Sequence, residues 1–395
     1  MIKVEEITKD GKARHCKIIF DDAFVALTPL FMPVATRGTL KAIPLAESDL
    51  KHKFQILLAN SWHLLLKPGV ETIKRHGSIK QFMNWPNKIL TDSGGFQIFS
   101  LAKNVTILPE GVKFLSPYNS QYFFLTPTEA IENQADMGVD IAMQLDICSA
   151  DPYNRSICTK DLELTEKWAE LTVEHADRKN LSVNIFGISQ GGMFEDLREK
   201  SLQNLNRMPF SGIALGGLSV GEKKSDMYRI LKFCSKLLPK EKPRYVMGLG
   251  LPLDIVVACY FGYDMFDCVL PTRAARFGRA YVTDLSQLWL NLRSSEFKND
   301  TGPVDPNCRC YCCRNYSRSY ICHLLKVDEI VGGILLTLHN LEFMFHLLKG
   351  IRLRIRQKLF EDYAKQYIRS WLQNSKFVSI IGQEEREALQ ESVWG

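Results

Sequence analysis

The chain has 395 residues, with 50 Lys and Arg against 44 Asp and Glu, for a formal net charge of +6. Its 46% hydrophobic and 24% charged residues, with 22 Phe and 13 Tyr, exclude a disordered or fibrous protein and supply a large core. The length fits two domains or one large barrel with insertions, and the mild basicity permits an anionic partner without requiring one.

The opening residues, Met1-Ile-Lys-Val-Glu-Glu-Ile-Thr-Lys-Asp, mix charges from the third position and lack the apolar segment of a signal peptide. A cytoplasmic protein is expected. Short β-like runs then follow, each ending in a polar residue or Gly. They are Leu30–Val34, Phe54–Leu58 before Asn60, Lys88–Leu90 before Asp92, and Asp140–Leu145 before Asp146. Four more are Asn184–Ser189 before Gln190, Gly212–Leu215 before Gly216-Gly217, Tyr245–Leu249 before Gly250, and Asp264–Phe266 before Asp267. Amphipathic stretches such as Leu162–Asp177, Met193–Met208, Asp226–Leu238 and Leu253–Phe261 separate them. Repeated βα units call for a parallel sheet, and eight of them predict an α/β protein with a closed (β/α)8 TIM barrel. An open doubly wound sheet is the alternative, disfavoured because no Gly-x-Gly-x-x-Gly opens the first helix. In a barrel the polar residues at the strand ends share one functional face.

The widest gap, between Asp92 and Asp146, alternates like small antiparallel strands and predicts a β insertion at about residues 103–126. Residues 1–290 are thus expected to form the barrel core, 291–377 a metal-binding subdomain with closing basic helices, and 378–395 a tail. The apolar stretch Val331–Leu348 is broken by His339, Asn340, Glu342 and His346, short of the roughly 20 apolar residues of a membrane span. Within residues 341–372, seven Lys or Arg stand against three acids, a pattern that fits either a phosphate-binding face or a solvated one.

Of eleven cysteines, Cys308, Cys310, Cys312, Cys313 and Cys322 fall within fifteen residues, which reads as metal binding in a reducing compartment. Together with His339 they offer zinc a closed tetrahedral site of structural type. Spacing alone leaves Cys312 competing with Cys313, and Cys322 and His323 with His339. A catalytic zinc is disfavoured, since no His-Glu-x-x-His helix is present. Asp92 and Asp267 each interrupt an apolar strand. Paired carboxylates of this kind break sugar–heteroatom bonds, one attacking while the other moves protons.

From about Pro29 to Phe377 the sequence resembles the tRNA-guanine transglycosylases. The resemblance lies in Thr91-Asp-Ser-Gly-Gly-Phe-Gln, Phe186-Gly-Ile-Ser-Gln-Gly-Gly, Gly216-Gly-Leu-Ser-Val-Gly-Glu, Tyr245-Val-Met-Gly-Leu-Gly, Met265-Phe-Asp-Cys-Val-Leu-Pro-Thr-Arg and the Cys-x-Cys-x-x-Cys…His set. It implies exchange of the wobble guanine of GUN-anticodon tRNAs for a 7-deazaguanine base, on an insertion-bearing barrel with one structural Zn2+ per subunit. By motif, Asp267 would be the nucleophile and Asp92 the general acid/base. Asp146, Gln190, Gly217 and Leu218 would bind the base, and Phe96 and Met247 would sandwich it. Arg273 and Arg276 would hold neighbouring nucleotides of the tRNA. The zinc ligands would be Cys308, Cys310, Cys313 and His339. A homodimer is implied, and no membrane.

The motifs are mixed on the choice of base. Val220 and Cys148 resemble bacterial members, which use 7-aminomethyl-7-deazaguanine (preQ1). Met143-Gln-Leu-Asp, Phe96 and Thr272-Arg-Ala-Ala-Arg-Phe-Gly lean toward eukaryotic members, which use queuine and have Gly at the Val220 position. Ile147 stands where an acidic residue is usual. Pocket volume at Val220 favours preQ1, with queuine as the alternative. A non-catalytic tRNA-binding partner subunit of the same fold should lack one of the two aspartates, and both are present.

Overall fold

The computed structural model describes residues 2–41, 43–45, 48–101 and 103–394; Met1 and Gly395, the outer ends of the expected core and tail, lie outside them. Eight parallel strands close into a barrel: β1 (Leu30–Ala35), β2 (Ile56–Ala59), β3 (Lys88–Thr91), β4 (Ile141–Met143), β5 (Asn184–Ser189), β6 (Gly212–Leu215), β7 (Arg244–Val246) and β8 (Met265–Cys268). Closure comes from β8 returning to β1 in a register running from Met265↔Leu30 to Cys268↔Pro33. The expected barrel is therefore present and the open sheet is not.

Alternation along the strands fills both sides of the wall. Leu30 and Met32, Ile56 and Leu58, Ile141 and Met143, and Phe186 and Ile188 point inward with Leu90, Ala214, Tyr245 and Met265. Phe31, Leu57, Ile89, Ala142, Ile213, Val246 and Phe266 face the helices in a second, larger cluster. The interior is thus a packed core, as side-chain layers of this barrel type require.

The floor of the barrel is closed by an element the sequence reading did not foresee. Three antiparallel strands, Lys3–Asp10, Ala13–Ile19 and Val25–Leu27, precede β1 and send Ile18, Phe20 and Ala26 into the barrel-interior cluster. A buried ion pair locks this sheet down. Arg14 donates to both oxygens of Asp264 and to the carbonyls of Lys240 and Lys242, while Asp264 Oδ2 also accepts from the Arg244 N–H at 2.8 Å.

The predicted insertion is a three-stranded antiparallel sheet, Lys103–Leu108, Gly111–Leu115 and Tyr122–Leu125, in the loop after β3. Its inner residues Val112, Phe114 and Leu125 pack with Trp62, Ile98 and Trp168. Beyond β8, a hairpin (Arg279–Tyr281 with Trp289–Asn291) and the helices Tyr311–Asn315 and Arg318–Lys326 share a small core with Cys312 and Cys322.

The helix Ile330–Gln357 then runs back along the barrel. By length and composition it could cross a membrane, yet half of its most apolar stretch is buried inside the fold. The polar residues that interrupt its apolar run are its ties. Asn340 Oδ1 accepts from Tyr281 N–H, and Asn340 Nδ2 donates to the carbonyls of Pro271 and Arg279. Several of the basic residues are likewise used inside the fold: Arg352 donates to the Pro29 carbonyl, Arg354 covers the Tyr363 ring, Lys358 bonds Lys9, and Lys365 pairs with Glu361. Arg352 and Lys358 tie the helix to the barrel floor and N-terminal sheet, at the end of the barrel remote from the strand-end carboxylates.

Candidate active site and metal centre

The carboxyl ends of the strands open into a cavity of about 480 Å³. It is lined by Asp92, Phe96, Asp146, Gln190, Gly217, Leu218, Met247, Asp267 and Arg273, so the fold gathers nine of the ten residues expected at the base and tRNA sites. Arg276 is the exception. It lies one helical turn beyond Arg273 and lines a neighbouring groove with Lys41 and Arg293.

Each carboxylate is held by neutral donors. Asp92 Oδ2 accepts from Asn60 Nδ2 at 2.6 Å and Oδ1 from the Ser61 N–H at 3.0 Å. Asp267 Oδ1 accepts from the Tyr245 hydroxyl at 2.5 Å and the Gly248 N–H at 2.9 Å. Asp146 accepts from the Ser93 hydroxyl and from Gln190 Nε2, both at 2.7 Å.

Burial disfavours the charged form of all three. It pushes Asp92 up to about 7, against the hydrogen bond from Ser61 and with help from the negative charge of Asp267. Asp267 and Asp146 are also raised by burial, opposed by their hydrogen-bond donors. A carboxyl that titrates near neutrality beside one facing the same cavity is suited to giving and taking a proton while its neighbour attacks. The Tyr245 and Gly248 donors fix the Asp267 carboxylate in one orientation.

Backbone space is as constrained as the side chains. Gly217 has φ +62°, and a Cβ there would sit 2.5 Å from Gln190 Oε1. At Gly95 a Cβ would fall 2.5 Å from the Asp146 carbonyl oxygen. Only glycine lets these loops close over Asp146 and Gln190. Arg198, fully buried, donates to the carbonyls of Ser189, Gly192 and Gly216 and so braces the ends of β5 and β6.

Sequence reasoning missed Ser93, Tyr245, Gly248 and Arg198 as site supports. Tyr245 carried a signal, as a hydroxyl on an inward position of an apolar strand; the roles of Gly248 and Arg198 exist only in the folded backbone. Ile147 also resolves here. Its side chain is buried in the cluster of Trp62 and Trp168 and does not line the cavity.

Of the competing metal ligands, the fold brings together Cys308, Cys310, Cys313 and His339, with ligand atoms all within 4.8 Å of one another. His339 Nδ1 lies 3.6 Å from Cys310 Sγ and 3.3 Å from Cys313 Sγ, while its Nε2 donates to the Tyr281 carbonyl at 2.7 Å. That hydrogen bond orients the ring with Nδ1 aimed at the thiols, the outer-sphere arrangement typical of a metal-bound imidazole. The donor set fits a closed tetrahedral ion site. Cys312 and Cys322 are packed in the apolar core beside it.

A family model described as queuine tRNA-ribosyltransferase matches residues 10–373. The queuine tRNA-ribosyltransferases of Francisella tularensis subsp. tularensis (strain WY96-3418) and subsp. mediasiatica (strain FSC147) are each 45% identical to this chain over 373 residues, covering 94% of it and 99% of the relative. That of subsp. novicida (strain U112) is 44% identical over the same length.

One prediction follows from the buried acid. Its raised pKa means that the Asp92 contribution to stability is fully present below the unfolded value of about 3.9 and is lost as pH rises through about 7. Relative to Asp92→Asn, the wild type should therefore lose of order 1–4 kcal/mol between pH 4 and pH 8 in paired denaturant melts.

Proposed function

The chain belongs to the queuine tRNA-ribosyltransferase family, the tRNA-guanine transglycosylases of queuosine modification, and from that premise we propose the following reaction. The enzyme exchanges the wobble guanine of GUN-anticodon tRNAs for preQ1 by double displacement. The observation that carries this reading is the pair of carboxyls facing one cavity, Asp267 oriented by Tyr245 and Gly248, and Asp92 titrating near neutrality.

Asp267 attacks the ribose anomeric carbon as the bond to guanine N9 breaks. Asp92, in its acid form, gives its proton to the departing base, leaving an aspartyl-ribosyl tRNA ester. The ionised Asp92 then takes the N9 proton of the incoming base, whose nitrogen attacks the same carbon and releases Asp267. Two inversions give net retention. Asp146 and Gln190 hydrogen-bond the base edge, the Gly217 N–H meets its carbonyl, Leu218 borders it, and Phe96 and Met247 flank the ring. A buried carboxylate left without its partner is costly, so these groups reject bases with the wrong edge. Arg273 at the cavity and Arg276 beyond it hold the adjoining nucleotides.

The smaller base is supported by Val220, which lines the cavity, and by Cys148 beside it. The metal we assign to Cys308, Cys310, Cys313 and His339 is zinc in a structural role, since the cluster lies beyond the barrel and its ligands leave no open position. We also infer a homodimer, supported by the exposed rings of Tyr311 and Tyr320, which the partly buried Tyr316 joins into one aromatic row beside that centre.

Incorporation of labelled guanine, preQ1 and queuine into unmodified GUN-anticodon tRNA tests the reaction and the base together. Asp267→Ala should lose at least about 1,000-fold in exchange, and the wild type should prefer preQ1, with Val220→Gly shifting preference toward queuine. Retained exchange in Asp267→Ala contradicts the nucleophile, and a wild-type preference for queuine contradicts the assignment of the base. Chelation of the metal should unfold the C-terminal module and lower the melting temperature by several degrees, with one zinc released per chain by metal analysis.

A further inference from the structure

The two helices that close the chain, Ser375–Ile381 and Gln383–Trp394, lie beyond the residues matched by the family. They are firmly seated. Leu389 and Val393 are buried, Trp394 meets the Tyr260 ring edge-on at 5.9 Å with Arg369 over its face, and Arg386 Nε donates to the Leu372 carbonyl. Their longest run of contact is with the helix Lys224–Cys234, which follows β6 and the segment Gly216–Glu222, whose residues Gly216–Val220 line the cavity.

That barrel helix begins without a cap of its own. Its N-cap residue is Lys223, whose side chain makes no capping hydrogen bond and could only donate. The acceptor comes instead from 160 residues away: Glu385 Oε1 takes the Ser225 N–H at 2.7 Å and Oε2 takes the Ser225 hydroxyl at 3.0 Å. The Lys223 N–H is met by the Tyr153 hydroxyl at 2.9 Å, which in turn donates to Asp226. A carboxylate here also suits the positive end of the helix dipole.

The segment just upstream needs such an anchor. Gly217, Ser219 and Gly221 have φ values of +62°, +58° and +125°, so three of five consecutive residues take backbone conformations costly to an L-residue, and Val220 is exposed. Within the segment only Glu222 holds the turn, accepting from the Ser219 and Val220 N–H groups.

We infer that Glu385 is a positioning residue for base recognition: by capping the helix at Ser225 from the C-terminal extension, it holds the Gly217–Glu222 segment in the conformation that meets the base. This rests on the reading of that segment as the base site. The extension therefore acts on how tightly the free base binds, not on the chemical step at Asp267.

The test uses the full-length enzyme with Glu385→Ala and Glu385→Gln. Glu385→Ala should raise the KM for the free base about fivefold, with kcat and the KM for tRNA within about twofold, the size expected from losing one cap. In parallel, hydrogen exchange of the amides of residues 218–225 should quicken about tenfold, with amides of β3 and β8 unchanged. Glu385→Gln, which keeps one acceptor, should fall between the two. A lowered melting temperature with unchanged KM and unchanged exchange at 218–225 would make the contact purely stabilising and overturn the inference. If the wild type catalyses no base exchange, the proposed reaction fails, while the amide readout still decides whether Glu385 anchors the segment.

Discussion

Three carboxylates facing one cavity, none of them in an ion pair among the described residues, are the constraint around which the molecule is arranged. Asp92, Asp146 and Asp267 are held by amides, hydroxyls and backbone N–H groups, and among the described residues no Lys or Arg pairs with them. A neutral donor orients a carboxylate without removing its tendency to take up a proton. Burial without a counter-ion therefore keeps Asp92 near neutrality, where one group can act as acid in one half of a reaction and base in the other. The same strand shows the opposite treatment at its other end. Three residues before Asp267, Asp264 is paired with Arg14 and tied to the Arg244 N–H, and there it fastens the floor of the barrel. Reactivity is assembled at the carboxyl face and stability at the amino face, as in barrels of this class.

The supporting structure follows from that division. The strand-end glycines admit the close approach of Gln190 and Asp146, Arg198 fixes the carbonyls of β5 and β6, and the long C-terminal helix straps the N-terminal sheet beneath the barrel. The Cys3His cluster, whose donors fit a metal ion, sits against the small apolar core of the C-terminal module.

Much of this was legible in the sequence because each barrel strand announces its end. A short apolar run followed by Asn60, Asp92, Asp146, Gln190 or Asp267 marks both the strand and the face on which the polar group lies. The insertion was legible from alternation. The N-terminal sheet was not, because Lys3–Asp10 is a solvent-facing strand rich in charges, and the sheet's packing partner is the floor of a barrel not yet built. The basic helix shows the reverse ambiguity. Its cations fit a phosphate-binding face in sequence, yet Arg352, Arg354 and Lys358 serve the fold itself. Arg276 follows Arg273 by three residues, but that turn of helix carries it into a separate groove. Whatever depends on backbone direction, such as the Gly248 and Ser61 N–H donors or the trans cap at Ser225, leaves no mark on residue type.

The most direct measurement is to mix the enzyme with GUN-anticodon tRNA without added base and look for a protein–tRNA adduct that survives denaturing electrophoresis. The account predicts an adduct in the wild type that maps to Asp267, disappears in Asp267→Ala, forms far more slowly in Asp92→Ala, and is discharged by adding preQ1 to the wild type. An adduct that persists in Asp267→Ala, or exchange that proceeds with no adduct under any condition, would contradict it.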